Sequence, residues 1–200
     1  MNSTRIKRLQ SEIQNRIQSG VVDLPQGKPE HQRIVYLMRG LPSCGKSTTA
    51  KKLAGKNGVV IETDAFFQIQ GAGPEGYSFD RTRLPEARNW TFELFRQAIR
   101  ENVSPIVIDR GNGSNRDSRE YAEIALAGGY ELELREPESN WWQEIKVLLR
   151  YRPETDDLLD LWAMELAQLS KRTHRVNSET IRHWMDRWKD DLTVSDILSA

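Results

Sequence analysis

The sequence is short of cysteine, of histidine, of long apolar runs and of net charge, and each shortage removes a class of protein. One cysteine, Cys44, in 200 residues excludes an internal disulfide framework, so a packed core must hold the fold. Three histidines, His31, His174 and His183, stand far apart without metal-ligand spacing, which argues against a zinc site. Twenty-nine basic residues balance twenty-nine acidic ones, so no global field draws the chain to nucleic acid, and any polynucleotide must be met by a local patch. No apolar run approaches the roughly 20 residues of a membrane span. No signal-like stretch follows the start, where Arg5, Lys7 and Arg8 are interspersed with polar and single apolar residues, and the expectation is a cytoplasmic chain without a membrane partner. With 38% hydrophobic and 29% charged residues, the chain can build one domain with a full core and a small appendage.

What is present is concentrated at Gly40 to Ser47, which reads Gly-Leu-Pro-Ser-Cys-Gly-Lys-Ser, a complete phosphate-binding P-loop. It lies between the apolar run Ile34, Val35, Tyr36, Leu37 and a helix-forming stretch that begins at Lys46. A strand delivers the chain to a tight turn, the glycines let backbone N–H groups close around an anion, and the following helix offers its positive end to the same phosphates. Residues Gly40, Leu41, Pro42, Ser43, Cys44, Gly45, Lys46, Ser47 and Thr48 are therefore assigned to a nucleoside triphosphate, with Lys46 reaching the β/γ-phosphates. Ser47 supplies a hard hydroxyl ligand for the nucleotide's Mg²⁺. Cys44 reads as a small residue tolerated in the loop rather than a redox sensor.

The rest of the chain alternates apolar runs with helical patterns from Arg33 onward, as in an α/β protein with a parallel sheet. Strands are expected at Val59–Ile61, Pro105–Asp109 and Tyr130–Leu134, and helices at Leu84–Glu101 and Ser118–Ala127, the latter stopped by Gly128-Gly129. Beyond Glu138 the pattern is helical to the end, with breaks near Pro153 and around Thr173. Ahead of the P-loop strand, Ile6, Leu9, Ile13 and Ile17 mark one stripe of an N-terminal helix, broken by Gly20, Pro25, Gly27 and Pro29. This divides the chain into a helical extension, 1–32, and a P-loop domain, 33–200. The stripe either docks on the domain or serves a protein partner. Gln68–Tyr77, with Gly71, Gly73, Pro74 and Gly76, reads as a loop after the second strand, where open α/β sheets bind ligands.

Two carboxylates follow consecutive strands: Asp64 in Glu62-Thr63-Asp64-Ala65-Phe66-Phe67, and Asp109 in Asp109-Arg110-Gly111-Asn112. Beside a triphosphate, one can accept the proton of an attacking hydroxyl and the other can hold the metal. The alternative is that each simply opens a turn or caps a helix. Lys171-Arg172-Thr173-His174-Arg175 lies between two helical patterns, the form of a basic lid whose arginines close over phosphates; a solvated charged loop is the plainer reading.

Together these elements resemble the P-loop polynucleotide 5′-hydroxyl kinase family, and more closely its branch of small kinase-like ATPases. The resemblance rests on Arg39 to Thr48, Thr63 to Phe67 and Ile106 to Asn112, followed in order by Gly128-Gly129-Tyr130, Glu136-Pro137, Trp141-Trp142 and the basic lid. It covers roughly Arg33 to Trp188. It implies a P-loop kinase-like three-layer α/β fold with a parallel sheet and a helical lid, and transfer of the γ-phosphoryl group of ATP to a hydroxyl. The residues it implicates are Lys46, Asp64, Arg172 and Arg175 for catalysis, Ser47 and Asp109 for Mg²⁺, and Asn112 near the acceptor. Where well-characterised members carry an arginine three residues after the Asp, this chain has Phe67: either Arg81 or Arg83 replaces it from the adjacent loop or the acceptor is not a nucleic acid, and Phe67 either borders the acceptor or fills the core beneath the second strand. A 5′-hydroxyl polynucleotide end is the leading acceptor. A small metabolite or nucleotide is the alternative, and a nucleotide-dependent protein-interaction module a third reading.

Overall fold

The computed structural model describes residue 15 and residues 33–70, 79–111, 116–171 and 176–199, with side chains left undescribed at 69–70 and 116–117. All of these but residue 15 belong to the compact unit Arg33–Ala200, which is separate from Met1–Gln32. The expected N-terminal stripe therefore lies outside the described residues.

Four parallel strands, β1 (Ile34–Met38), β2 (Val59–Ile61), β3 (Ile106–Ile108) and β4 (Glu131–Arg135), form a sheet in the order β2-β3-β1-β4. Parallel strands covered on both faces read as unbroken apolar runs. β3, Ile-Val-Ile, is buried throughout and sits inside the sheet, whereas β4, Glu-Leu-Glu-Leu-Arg, alternates and lies at an edge. Val35 pairs with Ile106 and Leu37 with Leu134, so the strands end level at their carboxyl edge.

Helix α1 (Lys46–Ala54) covers one face through Ala50 and Ala54, packed on Met38 and Val107. The other face carries the larger core. There α3 (Leu84–Arg100) contributes Phe92 and Phe95, α4 (Arg116–Ala127) contributes Tyr121, Ala122 and Ala125, and the terminal α8 (Val194–Ser199) contributes Ile197. Phe92 and Tyr121 stack at 4.2 Å, and Phe95 meets Tyr121 edge-on at 5.0 Å. This is the three-layer α/β architecture of P-loop kinase-like proteins. No described helix is long and apolar enough to cross a membrane.

After β4 come α5 (Asn140–Arg150), α6 (Asp156–Ser170) and α7 (Ser178–Asp186), which enclose a second core around Trp142, Ile145, Leu159, Leu166, Ile181 and Met185. Arg182 on α7 ties that layer together. Its guanidinium reaches Asp156 at 2.7 Å and Asp160 at 2.6 Å on α6, and Asp186 on its own helix. Leu41 and Cys44 of the P-loop are members of this second core, so the phosphate loop is seated between the sheet and the helical layer.

Among the described residues the expected strands and helices are found with boundaries within a few residues, and α4 ends at Ala127 ahead of the two glycines. Helix α2 (Asp64–Gln70) was not foreseen, and it takes in residues 68–70, which the sequence assigns to a loop. Its driving force is burial of Phe66 and Phe67 against Ala87, Leu84 and Trp90, which outweighs the weak helix preference of a short aromatic segment.

Candidate functional site

Backbone geometry at the P-loop follows from its small residues. Gly40 has φ +144°, and a Cβ there would fall 2.9 Å from Cδ of Pro137, so no larger residue fits. Ser43 and Gly45 are both left-handed, at φ 61° and 89°. Alternating handedness along a turn aims successive N–H groups into one concavity, a ready anion nest. Gly45 is also the N-cap of α1, and neither a capping side chain nor an acidic residue occupies the first turn. The helix therefore presents its amides and its positive dipole end without a competing internal anion.

The loop's carbonyls are held by other partners. Ser139 Oγ donates to the Cys44 carbonyl at 2.8 Å, Trp141 Nε1 to the Ser43 carbonyl at 3.2 Å, and Lys46 Nζ to the Leu41 carbonyl at 2.8 Å. Ser139 does this while capping α5, accepting from the Trp142 amide at 3.3 Å. One residue thus fixes both the helix start and the loop.

Beneath the loop lies a brace that sequence reasoning missed. The Arg39 side chain is 3% exposed, with its Nη1 3.5 Å from Glu136 Oε1, its Nη2 donating to the Lys189 carbonyl and its guanidinium 4.1 Å from the Trp188 ring centre. Glu136 also meets Lys146 at 2.8 Å and accepts from Trp142 Nε1 at 3.2 Å. Burial pulls the Arg39 pKa below its ordinary value, against the opposing pull of Glu136, Asp190 and Asp191. Arg39, Glu136 and Trp188 had local signals, an arginine abutting the P-loop, an acid just after β4 and a tryptophan after α7, but no sequence rule joins them.

Across the loop mouth, Lys46 is brought together with both expected carboxylates. Burial lowers its pKa, and the carboxylates of Asp109 and, more weakly, Asp64 push back. Asp109 is 8% exposed at the end of β3, where its amide donates to the Ile61 carbonyl at 2.9 Å and aligns the ends of β2 and β3. Asp64 opens α2, so it occupies a helix start and stands within the field of Lys46 at once. Ser47 follows Lys46 in the first turn of α1. Its hydroxyl and the Asp109 carboxylate are hard oxygen donors, a set that fits Mg²⁺. A cleft of about 420 Å³ adjoins α1, lined by Arg39, Thr49, Glu136, Gln143, Lys146 and Asp190 among others.

Other expected residues fall elsewhere. Phe67 does not border an open acceptor site: it is 1% exposed and packs edge-on to Phe66 at 5.3 Å and against Phe79 at 5.1 Å, because helical phase turns it into the core. Arg83 pairs with Glu86 through two bonds of 2.8 and 2.9 Å and lies 4.9 Å over the Phe66 ring. Arg81 is exposed on the 3₁₀ turn Arg81–Arg83. Asn112, Arg172, Arg175 and residues 71–77 lie outside the described residues.

Cys44 is fully buried, and burial pushes its thiol up to about 12 despite the opposing charge of Lys46 and a backbone hydrogen bond at Leu41. Thiolate is the reactive form, so at pH 8 the folded protein is expected to resist iodoacetamide while urea-unfolded chain reacts readily. Mass-spectrometric labelling rates in the two states check this; equal rates would contradict a sealed loop.

A family model described as an AAA domain matches residues 35–157. Among curated proteins, human NEDD4-binding protein 2 is 30% identical over 169 residues, which is 84% of this chain and 8% of that protein, so the chain spans only a small part of this relative's length. A solved structure from the PezAT chromosomal toxin–antitoxin system of Streptococcus pneumoniae aligns with 94% of this chain and 92% of its own, at 16% identity and a TM-score of 0.42.

Proposed function

We propose that this chain, which belongs to the AAA domain family, is an ATP-dependent phosphotransferase that moves the γ-phosphoryl group to a hydroxyl, with a 5′-hydroxyl polynucleotide end as the leading acceptor. The observation that carries the reading is Lys46 at an uncapped helix N-terminus with Asp64 and Asp109 in its field. A pure binding module needs the nest and the lysine. It has no need of a second carboxylate beside them.

In this reading the loop amides and Lys46 hold the β- and γ-phosphates. Asp64 accepts the proton of the acceptor hydroxyl as its oxygen bonds to the γ-phosphorus, and the bond from that phosphorus to the β–γ bridging oxygen breaks to release ADP. Ser47 and Asp109 would hold Mg²⁺, which when bound offsets charge on the phosphate oxygens. Residues 171–175 act as the basic lid, and 1–32 as an extension appended to the domain 33–200.

A small-metabolite acceptor is the second reading, favoured by Phe67 being in the core and Arg83 being engaged with Glu86. Transfer of labelled γ-phosphate to a panel of 5′-hydroxyl DNA, 5′-hydroxyl RNA, nucleosides and sugars separates the two. If polynucleotide ends are the acceptors, Arg83→Ala and Arg81→Ala are expected to weaken acceptor binding and flatten its salt dependence while ATP affinity holds. Acceptor affinity independent of salt, unmoved by either change, points to the metabolite. No transfer to any acceptor in the presence of bound ATP would remove the transferase reading.

A further inference from the structure

The first turn of α5 grips the P-loop by its carbonyls, and one of those grips sets the direction of an amide. Ser139 Oγ donates to the Cys44 carbonyl at 2.8 Å. The peptide unit that begins with this carbonyl ends in the Gly45 N–H, and in a trans peptide the two groups point in opposite directions. Anchoring the oxygen on Ser139 therefore turns the Gly45 N–H away from α5. That amide has no acceptor among the described residues, and it stands immediately before the uncapped first turn of α1. A donor left open at the head of a helix is available to an anion.

The loop's own backbone does little to fix this plane. Gly45 sits at φ 89°, a conformation that glycine enters and leaves freely. The Cys44 amide reaches the Leu41 carbonyl only at 3.4 Å, long for a hydrogen bond. Ser139, by contrast, is itself held. It caps α5 by accepting from the Trp142 amide at 3.3 Å, and α5 is anchored through buried Trp142 and Ile145. We infer that Ser139 is a positioning residue of the nucleotide site: its hydroxyl, by holding the Cys44 carbonyl, aims the Gly45 amide at the phosphates. This rests on the nucleotide reading of the loop and deepens it, assigning part of the phosphate affinity to a side chain that acts only through the loop backbone.

Calorimetric titration of the full chain with ATP and with ADP tests this, because capping and donation can be removed separately. Ser139→Ala loses both, whereas Ser139→Gly loses the donor while glycine still caps nearly as well as serine. Both variants are expected to bind each nucleotide about tenfold more weakly than the parent. Only the alanine variant should melt clearly lower without nucleotide. Ser139→Thr, which keeps the hydroxyl, should recover most of the affinity. A Ser139→Gly variant that binds ATP as tightly as the parent, or affinities that merely follow the melting temperatures across the variants, would confine Ser139 to capping α5 and overturn the inference alone. A parent that binds neither nucleotide would overturn it together with the nucleotide reading beneath it.

Discussion

Replacing Lys46 with Ala is expected to lower phosphoryl transfer by about 10²–10³-fold, corresponding to about 2.7–4 kcal/mol of transition-state stabilisation. Nζ now donates to the Leu41 carbonyl at 2.8 Å, which holds the ammonium to the loop whose nest Ser43 and Gly45 form. In the proposed transfer, charge grows on the β–γ bridging oxygen as its bond to the γ-phosphorus breaks, so an ammonium reaching between these phosphates acts more strongly on the transition state than on bound ATP.

Stability should move the other way. Burial lowers the Lys46 pKa, so carrying the charge in the folded state costs free energy at every pH below that folded value and costs nothing above the unfolded one. Alanine removes this cost together with one hydrogen bond. Without nucleotide, the variant should therefore melt at or slightly above the parent's temperature. A variant that is both inactive and markedly less stable would show Lys46 to be a structural prop, and full activity would show that the loop takes no part in the chemistry.

The loop was legible because its information is local. A strand, eight loop residues and a helix start lie in one stretch of sequence, and the physical demands on each position can be checked there. The same is true of β3, where Ile-Val-Ile between polar flanks admits only a strand buried on both faces. The supports of the loop were not legible. Ser139 and Cys44 are 95 positions apart, Trp141 and Ser43 are 98 apart, and Arg39 and Lys189 are 150 apart. Only the closure of the helical layer over the sheet brings them together. Phe67 was left open for a different reason. Aromatics after a strand end suit a ligand or a core equally, and the choice was made by the phase of α2, a helix too short to leave a periodic signature.

For Asp64 the same ambiguity has a direct test. Asp64→Asn keeps the size of the side chain and much of its capacity at the start of α2, while removing the group that can accept a proton. If Asp64 is the general base, turnover should fall about 10²–10⁴-fold. Its negative charge supports the Lys46 ammonium less than that of Asp109 does, so the loop and ATP affinity should change little. Asp109→Asn provides the contrast. Asp109 is the larger charge on Lys46 and, in the proposed reading, would hold Mg²⁺ with Ser47, so its loss should raise the Mg²⁺ concentration needed for half-maximal rate. Titrating both variants with Mg²⁺ and ATP, and following single-turnover transfer, separates the roles. A slow Asp64→Asn enzyme with parent-like Mg²⁺ and ATP dependence marks a base. A variant restored to parent rate by excess Mg²⁺ would move Asp64 to the metal, and one that turns over normally but melts early would leave it as the residue that opens α2.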